Sequence, residues 1–172
     1  MLGSEKNMYK AIFVDIDGTL RDNNRQLSQK TIDTVKKVTD KGILVILCSG
    51  RPRKYTEEVS KMCCASKYII TSNGGNIYDY EENRVIYSNI MNKEAILKLY
   101  EIANSVDAQF IMNVGEGRVV NKVTKPDEEK EIEGNIHEFV YKNDIVQCII
   151  ADKDFDRIKI LIIRGTTLFT VM

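Results

Sequence analysis

Apolar positions in the first half of the chain form short runs, separated by a stretch with helical spacing. Three runs, each followed by a polar turn, predict strands over residues 9–15, 43–47 and 68–71. After the first run, apolar residues recur every three positions between Ser28, which is suited to cap a helix, and Gly42, which is suited to end one. A second helix is predicted from Pro52. This alternation of strands and helices is typical of an α/β fold with a parallel sheet.

The pattern changes after Gly75, where residues 76–80 and 84–87 predict an antiparallel hairpin. Asn92 then stands where it can cap another helix. Strand-like runs follow at residues 109–114, 118–123, 147–151 and 166–171, with a further helical pattern at residues 154–163. The mixture predicts a smaller α+β domain.

We therefore predict that the chain divides near Tyr80. Residues 9–79 would form the first part of an α/β core domain with an incomplete parallel sheet, and residues 80–172 an incomplete α+β domain. Because Met8 resembles a natural start, residues 1–8 are predicted to be a disordered extension.

Charge and composition exclude several classes of protein for these 172 residues. Lys and Arg total 25, as do Asp and Glu, so no excess charge favours nucleic acid or an acidic membrane. No apolar run is long enough to span a bilayer, and no signal peptide is visible, which predicts a cytoplasmic protein. The four cysteines lack the spacing of a zinc site or a disulfide framework, so reduced, mostly buried thiols are expected. The single histidine, His137, is expected to be a surface residue without a chemical role.

The candidate chemistry lies in the segment Asp15-Ile16-Asp17-Gly18-Thr19, directly after the first predicted strand. Residues two apart in a strand point the same way, so Asp15 and Asp17 can present both carboxylates near one spot. Two neighbouring carboxylates repel each other, and a magnesium ion with oxygen ligands relieves that repulsion best. Gly18 allows a tight turn, and the Thr19 hydroxyl can fix the loop.

Two further polar loops follow the next two predicted strands. Ser49-Gly50-Arg51 and Asn73-Gly74-Gly75 stand at the carboxyl ends of those strands, where α/β folds bind their ligands. An isolated Asp-Ile-Asp-Gly is more often a solvated turn. The convergence of three such loops on one sheet edge favours a functional site instead.

Taken together, Phe-Val-Asp-Ile-Asp-Gly-Thr-Leu, Cys-Ser-Gly-Arg-Pro and Ser-Asn-Gly-Gly resemble the motifs of the Cof-type subfamily of the haloacid dehalogenase superfamily, which carries a type IIB cap. The resemblance implies a Rossmannoid core and an α+β cap domain. It also implies a magnesium-dependent phosphatase that acts on small phosphorylated metabolites, such as sugar phosphates, through an aspartyl-phosphate.

The resemblance implies a role for each motif residue. Asp15 would be the nucleophile, and Asp17 the general acid and then the base. Ser49 and Gly50, with Thr19, would contact the phosphate. Mg²⁺ would be bound by the Asp15 carboxylate and the backbone carbonyl of Asp17.

Some of these roles have alternatives in the sequence itself. The alternative for Ser49 is a hydroxyl at the end of a strand that caps the next helix. Arg51 either contacts a substrate anion or pairs with an acid of its own domain, and the sequence favours neither. Asn73 either contacts substrate or serves only as a turn residue.

The sequence also departs from the family pattern. The lysine and the Gly-Asp-rich acidic loop that members carry after the cap are missing from these residues, and we expect a C-terminally truncated form. Such a form is expected to expose part of its apolar core and to favour self-association. The alternatives to a phosphatase are therefore a catalytically inactive fragment or interaction module and, with less support, a sugar phosphomutase.

Overall fold

The structure is a computed structural model, and it describes residues 9–154 apart from residues 23 and 25. The chain divides into two compact units, Met1–Asn89 and Ile90–Met172. The predictions made for residues 1–8 and 155–172 lie outside the described residues.

The first unit is an α/β fold built on one five-stranded sheet. Its elements are β1 (Ala11–Asp15), α1 (Gln29–Thr39), β2 (Leu44–Cys48), α2 (Arg53–Met62), β3 (Tyr68–Thr71), a 3₁₀ turn (Ser72–Gly74), β4 (Asn76–Asp79) and β5 (Arg84–Ser88). The strand order is β1-β2-β3-β4-β5, and β1, β2 and β3 are parallel to one another. The predicted α/β class with a parallel sheet is confirmed.

Local signals set the bounds of α1. The Ser28 side chain accepts a hydrogen bond from the backbone N–H of Thr31, which satisfies one of the free donors in the first turn. Lys36 and Lys37 lie in the last turn, where their positive charge interacts favourably with the negative end of the helix dipole. Gly42 follows at φ +76°, a left-handed conformation that ends the helical segment.

One face of the sheet carries the core of the first unit. Val35 of α1 and Val59 of α2 pack in a single cluster with Val45 and Leu47 of β2. The opposite face is open among the described residues. Phe13 is 63% exposed and Leu44 is 43% exposed, and β1 forms the edge of the described sheet. Apolar side chains are thus exposed both on the edge strand β1 and on the neighbouring strand β2.

The hairpin β4–β5 belongs to the first unit, because β4 pairs antiparallel with β3 and β5 pairs with β4. The division of the chain therefore falls between Asn89 and Ile90, and not near Tyr80 as the sequence predicted. In the sequence, the hairpin pattern indicated the start of a new domain. In the structure, β4 and β5 add two antiparallel strands to the sheet beside β3.

A buried carboxylate holds this hairpin in place. Asp79 is fully buried, lies 3.0 Å from the Lys67 Nζ, and accepts hydrogen bonds from the backbone N–H groups of Glu81 and Glu82. Burial acts to raise the pKa of Asp79, but Lys67 and the two backbone N–H groups outweigh it, and the pKa is lowered. The carboxylate therefore ties the β4–β5 turn to the segment before β3.

The second unit is a small α+β fold. Its elements are α3 (Lys93–Ser105), β6 (Gln109–Val114), β7 (Gly117–Val120), β8 (Glu129–Glu131), α4 (Ile136–Lys142) and β9 (Ile145–Ala151), with strand order β8-β7-β6-β9. Its core joins Ile96 and Leu99 of α3 to Phe110 of β6 and Val140 of α4. Asn92 caps α3 through a hydrogen bond from the backbone N–H of Ala95, as predicted. Within the described part of the chain, every helix is too short or too polar to cross a membrane.

Candidate active site

The first part of the site is the acidic loop, residues 15–19, which begins where β1 ends. Asp15 and Asp17 are both exposed, whereas Ile16 between them is completely buried in the core. The carbonyl oxygen of Ile16 accepts hydrogen bonds from the backbone N–H groups of Leu20 (3.1 Å) and Arg21 (2.9 Å). Burial of Ile16 therefore anchors the loop and leaves the two carboxylates facing solvent.

Gly18 and Thr19 complete the acidic loop. Gly18 has φ +80°, a conformation that a residue with a side chain rarely adopts. Thr19 follows on the exposed side of the turn. The tight turn that the sequence predicted at Gly18 is confirmed, and the phosphate contact assigned to Thr19 stays a prediction.

The loops that follow β2 and β3 are joined by hydrogen bonds. Ser49 donates its backbone N–H to the carbonyl of Ile70 (2.9 Å), and Asn73 donates its own to the carbonyl of Ser49 (3.1 Å). Ser72 donates to the carbonyl of Arg51 (3.0 Å). Ser49 is buried, and its hydroxyl oxygen accepts from the Arg51 backbone N–H at 3.1 Å, while α2 begins only at Arg53 after Pro52. The hydroxyl therefore stabilises the loop itself, and Pro52 holds the cap position of α2.

Gly50 and Asn73 lie in direct contact. A Cβ atom at Gly50 would lie 2.9 Å from the Asn73 Oδ1, so a larger residue there would displace the amide. Asn73 itself has φ +55° and ψ +37°, a left-handed conformation that asparagine tolerates better than most residues. The structure thus brings the second and third predicted loops together, and turn geometry accounts for part of the sequence Ser-Asn-Gly-Gly.

Arg51 connects these loops to the acidic loop. Its Nε donates to the Asp17 Oδ2 at 2.7 Å and its Nη2 donates to the Asp17 Oδ1 at 3.0 Å, which is a bidentate ion pair. The Arg51 side chain is 16% exposed and that of Asp17 is 46% exposed. Of the two alternatives left open by the sequence, the structure contains the pairing with an acid of the same domain.

The nearest cysteine does not compete with the carboxylates as a nucleophile. Cys48 lies opposite Asp15 in the β1–β2 register, and all four cysteines are free. Burial raises the pKa of the Cys48 thiol, and the negative charge of Asp15 raises it further. Cys48 is therefore a neutral thiol near pH 7. Cys64 is exposed, so the expectation of mostly buried thiols does not hold for it.

The site offers part of a magnesium donor set. Carboxylate and carbonyl oxygens are the ligands that Mg²⁺ prefers, and Asp15 presents an exposed carboxylate. The carboxylate of Asp17 is engaged by Arg51, which leaves its backbone carbonyl as the oxygen to consider. No cluster of three or more acidic, histidine or cysteine residues suited to a metal occurs among the described residues. The donors thus fit magnesium in kind, but the described residues do not complete the set.

Sequence reasoning missed Arg21, which follows the acidic loop. Its Nε is buried and has no hydrogen-bond partner among the described residues. In the sequence, Arg21 stands in a polar segment and looks like an ordinary loop charge. Only the three-dimensional position of its guanidinium distinguishes it.

The chain matches a known family of proteins. The model of the haloacid dehalogenase-like hydrolases matches residues 12–169. A 5-amino-6-(5-phospho-D-ribitylamino)uracil phosphatase of Bacillus subtilis is 26% identical over 101 residues, which cover 59% of this chain. The chain spans only 40% of the length of that relative.

Solved structures share the fold at low sequence identity. A haloacid dehalogenase-like hydrolase from Bacteroides thetaiotaomicron matches with a TM-score of 0.76 and 23% identity, over 91% of this chain and 64% of the other. A subclass IIB sugar phosphatase matches with a TM-score of 0.70 and 18% identity, over 89% of this chain and 62% of the other. These likenesses concern the fold.

Proposed function

Because the chain belongs to the haloacid dehalogenase-like hydrolases, we propose that it is a phosphatase that hydrolyses phosphate monoesters of small metabolites, such as sugar phosphates. One observation carries the proposal. Asp15 and Asp17 are exposed at the carboxyl end of β1. Arg51 contacts Asp17 from the loop that follows β2, the adjacent parallel strand, and Ser49 lies in the same loop. The carboxyl ends of parallel strands are where α/β folds bind their ligands.

In the first step of the proposed reaction, a carboxylate oxygen of Asp15 attacks the phosphorus atom of the ester. The bond between phosphorus and the alcohol oxygen breaks, and Asp17 donates a proton to the departing oxygen. The protein then carries an aspartyl-phosphate, and the alcohol leaves. Asp17 must hold a proton for this step, so Arg51 has to release part of its hold on that carboxylate or share it with the incoming phosphate.

In the second step, water attacks the phosphorus atom of the aspartyl-phosphate. Asp17 takes a proton from that water, the bond between phosphorus and the Asp15 oxygen breaks, and inorganic phosphate leaves. Ser49 supports both steps in this proposal, because its O–H remains able to donate to a phosphoryl oxygen while its oxygen accepts from Arg51. Gly50 and Thr19 are proposed to contact the same phosphate, and Asn73 the substrate.

Magnesium is the proposed cofactor, bound by the Asp15 carboxylate and the backbone carbonyl of Asp17. Bound there, it would reduce the charge of the phosphate and the repulsion between phosphate and carboxylate. A cytoplasmic location and the division of labour between a core and a cap domain stay predictions.

A phosphatase assay of the full chain tests the proposal. With Mg²⁺ present, we expect release of inorganic phosphate from p-nitrophenyl phosphate and from a panel of sugar phosphates. Because the cation is proposed to offset the charge of phosphate and carboxylate, EDTA should reduce the rate to background, and excess Mg²⁺ should restore it. Undiminished turnover in EDTA would show that the reaction does not require magnesium. If the chain released no phosphate from any monoester, the proposed phosphatase activity would be wrong.

A second candidate function is self-association, which the exposed apolar side chains of the first sheet favour. Among the described residues β1 pairs on one side only, and Phe13 and Ile12 are exposed on it. An edge strand is a template for another strand, and two identical edges complement each other through a twofold axis. The proposed partner is therefore a second copy of this chain.

Replacing Phe13 with Lys is expected to weaken such a dimer about tenfold or more, because burial of a phenyl group stabilises by about 1.5–3 kcal/mol. Sedimentation velocity over a range of concentrations measures the change. Met62→Lys is the matched control, since Met62 is 50% exposed on α2 rather than on β1. A chain that is monomeric at every concentration, or equal effects of the two substitutions, would contradict the dimer.

A further inference from the structure

The turn that follows β3, residues 72–74, has an unusual backbone conformation. Ser72, Asn73 and Gly74 have φ values of +52°, +55° and +90°, so three successive residues lie in the left-handed region. Residues with a side chain seldom adopt this conformation. It persists only where neighbouring contacts hold it, and such residues are concentrated at functional sites. The contacts that hold this turn therefore bear on the function of the site.

Main-chain hydrogen bonds join the turn to the residues on both sides of Gly50. The Ser72 N–H donates to the Arg51 carbonyl at 3.0 Å, and the Asn73 N–H donates to the Ser49 carbonyl at 3.1 Å. The peptide bonds are trans, so the N–H of each peptide points opposite to its carbonyl. Because the Ser49 carbonyl points to the turn, the N–H of Gly50 in the same peptide points away from it. The turn thus sets the direction of a backbone donor in the loop proposed to contact phosphate.

The side-chain amide of Asn73 occupies the space beside the Gly50 Cα. The three heavy atoms nearest to a Cβ at position 50 would be the Asn73 Oδ1 at 2.9 Å, Cγ at 3.3 Å and Nδ2 at 3.3 Å. The φ of Gly50 is not positive, unlike that of Gly74, so the backbone conformation does not require glycine. Glycine is required because the amide fills the room that a side chain would need. Gly50 and Asn73 therefore form a matched pair.

We propose that Asn73 is a positioning residue, whose amide holds the loop of residues 49–51 so that the Ser49 hydroxyl and the Gly50 N–H are directed at the phosphoryl oxygens. This inference rests on the proposed phosphatase function and goes beyond the substrate contact proposed for Asn73. Donors fixed in advance stabilise the transition state, and a small displacement of them lowers the rate of the chemical step. The loss of the amide should therefore lower kcat more than it changes KM.

Asn73→Gly separates this role from a role in the turn alone. Glycine adopts the left-handed conformation without steric cost, so the turn should persist and thermal unfolding followed by circular dichroism should be unchanged. We expect kcat for p-nitrophenyl phosphate to fall about tenfold or more, with KM nearly unchanged. Asn83→Gly is the matched control and should leave kcat unchanged. Asn83 is also left-handed, at φ +49°, and its Oδ1 accepts a hydrogen bond from the Tyr78 hydroxyl in the β4–β5 hairpin.

A double-mutant cycle tests the contact between Asn73 and Gly50. Gly50→Ala should lower kcat about tenfold or more, because its methyl group would collide with the amide and displace the loop. In the Asn73→Gly background the same substitution should have little further effect, since the amide is already gone. Losses that add in the double variant would show that the two residues act independently, and they would overturn the proposal.

The order of the Gly50 backbone amide gives a readout that does not depend on activity. Nuclear magnetic resonance relaxation of the full chain without substrate should give a lower order parameter for Gly50 in Asn73→Gly than in the unaltered chain or in Asn83→Gly. If the chain hydrolyses no monoester and Gly50 still loosens, the phosphatase proposal is wrong and the positioning of the loop stands. Unchanged order at Gly50 overturns the positioning role. In an active chain, unchanged kcat does so too, and a rise in KM at constant kcat leaves Asn73 with the substrate contact alone.

Discussion

Asp15→Asn is expected to lower phosphatase turnover at least about a thousandfold, because removal of a covalent nucleophile costs several orders of magnitude in rate. The amide oxygen is uncharged and a far weaker nucleophile than the carboxylate. Asp15 is exposed at the end of β1, so its replacement leaves the core cluster around Ile16 intact. Steady-state hydrolysis of p-nitrophenyl phosphate measures the loss.

The covalent step has a separate signature. Rapid acid quenching with a ³²P-labelled ester should leave label on the peptide that contains Asp15, and hydroxylamine should release it, as for any acyl phosphate. Asp15→Asn should carry no label. Asp33→Asn is the matched control, because Asp33 lies exposed on α1 and accepts only a local hydrogen bond from Gln29. Full turnover by Asp15→Asn would make the nucleophile assignment wrong.

The sequence predicted well the features that depend on neighbouring residues. Ser28 and Asn92 cap helices because their side-chain oxygens reach a backbone N–H three residues ahead. The run at Tyr68–Thr71 forms β3 with the predicted bounds. The burial of Ile16 between two exposed acids follows from the alternation of a strand that ends there.

Features set by tertiary contacts were not predictable in this way. The strand β8 lies in a charged segment, where the carboxylate of Glu129 accepts hydrogen bonds from the backbone of Thr124 and Lys125 and from the side chain of Gln109. No periodic apolar pattern marks β8, because polar contacts define it.

The short helix α4 is different, because its local signals are present in the sequence and were overlooked. Ile136, Phe139 and Val140 recur at helical spacing and pack in or against the core, and Asn135 caps the first turn.

The candidate site divides in the same way. The positions of Asp15, Asp17 and Ser49 after two parallel strands follow from local pattern and the rules of α/β folds. The ion pair between Arg51 and Asp17 joins residues that are far apart in sequence, and no spacing rule selects one partner over another. The same holds for the contact of Gly50 with Asn73.

The ion pair between Arg51 and Asp17 assigns Arg51 one of two roles, positioning the acid or binding the substrate, and steady-state kinetics distinguish them. If Arg51 acts by positioning Asp17, its removal should lower kcat and leave KM nearly unchanged, because the acid group is used in the chemical steps. If Arg51 acts by binding the substrate, KM should rise instead. The bidentate geometry at 2.7 and 3.0 Å favours the first possibility.

A double-mutant cycle separates these possibilities more sharply. Asp17→Asn should lower kcat about 10²–10⁴-fold, as expected for a general acid and base. Arg51→Met should lower kcat roughly tenfold, which corresponds to the loss of charge-assisted hydrogen bonds at a half-exposed site. In the Asp17→Asn background, Arg51→Met should have no further effect, because the carboxylate that it positions is already gone.

The controls follow from the geometry of arginine. Arg51→Lys keeps the charge but loses the planar fork, so it should recover only part of the lost kcat. Arg84→Met removes a surface arginine whose Nη2 lies 3.4 Å from Glu82, and it should leave both kcat and KM unchanged. Additive losses in the double variant, or a rise in KM with constant kcat, would assign Arg51 to the substrate. Arg51 would then have to leave Asp17 whenever substrate binds, and the ion pair would describe only the free protein.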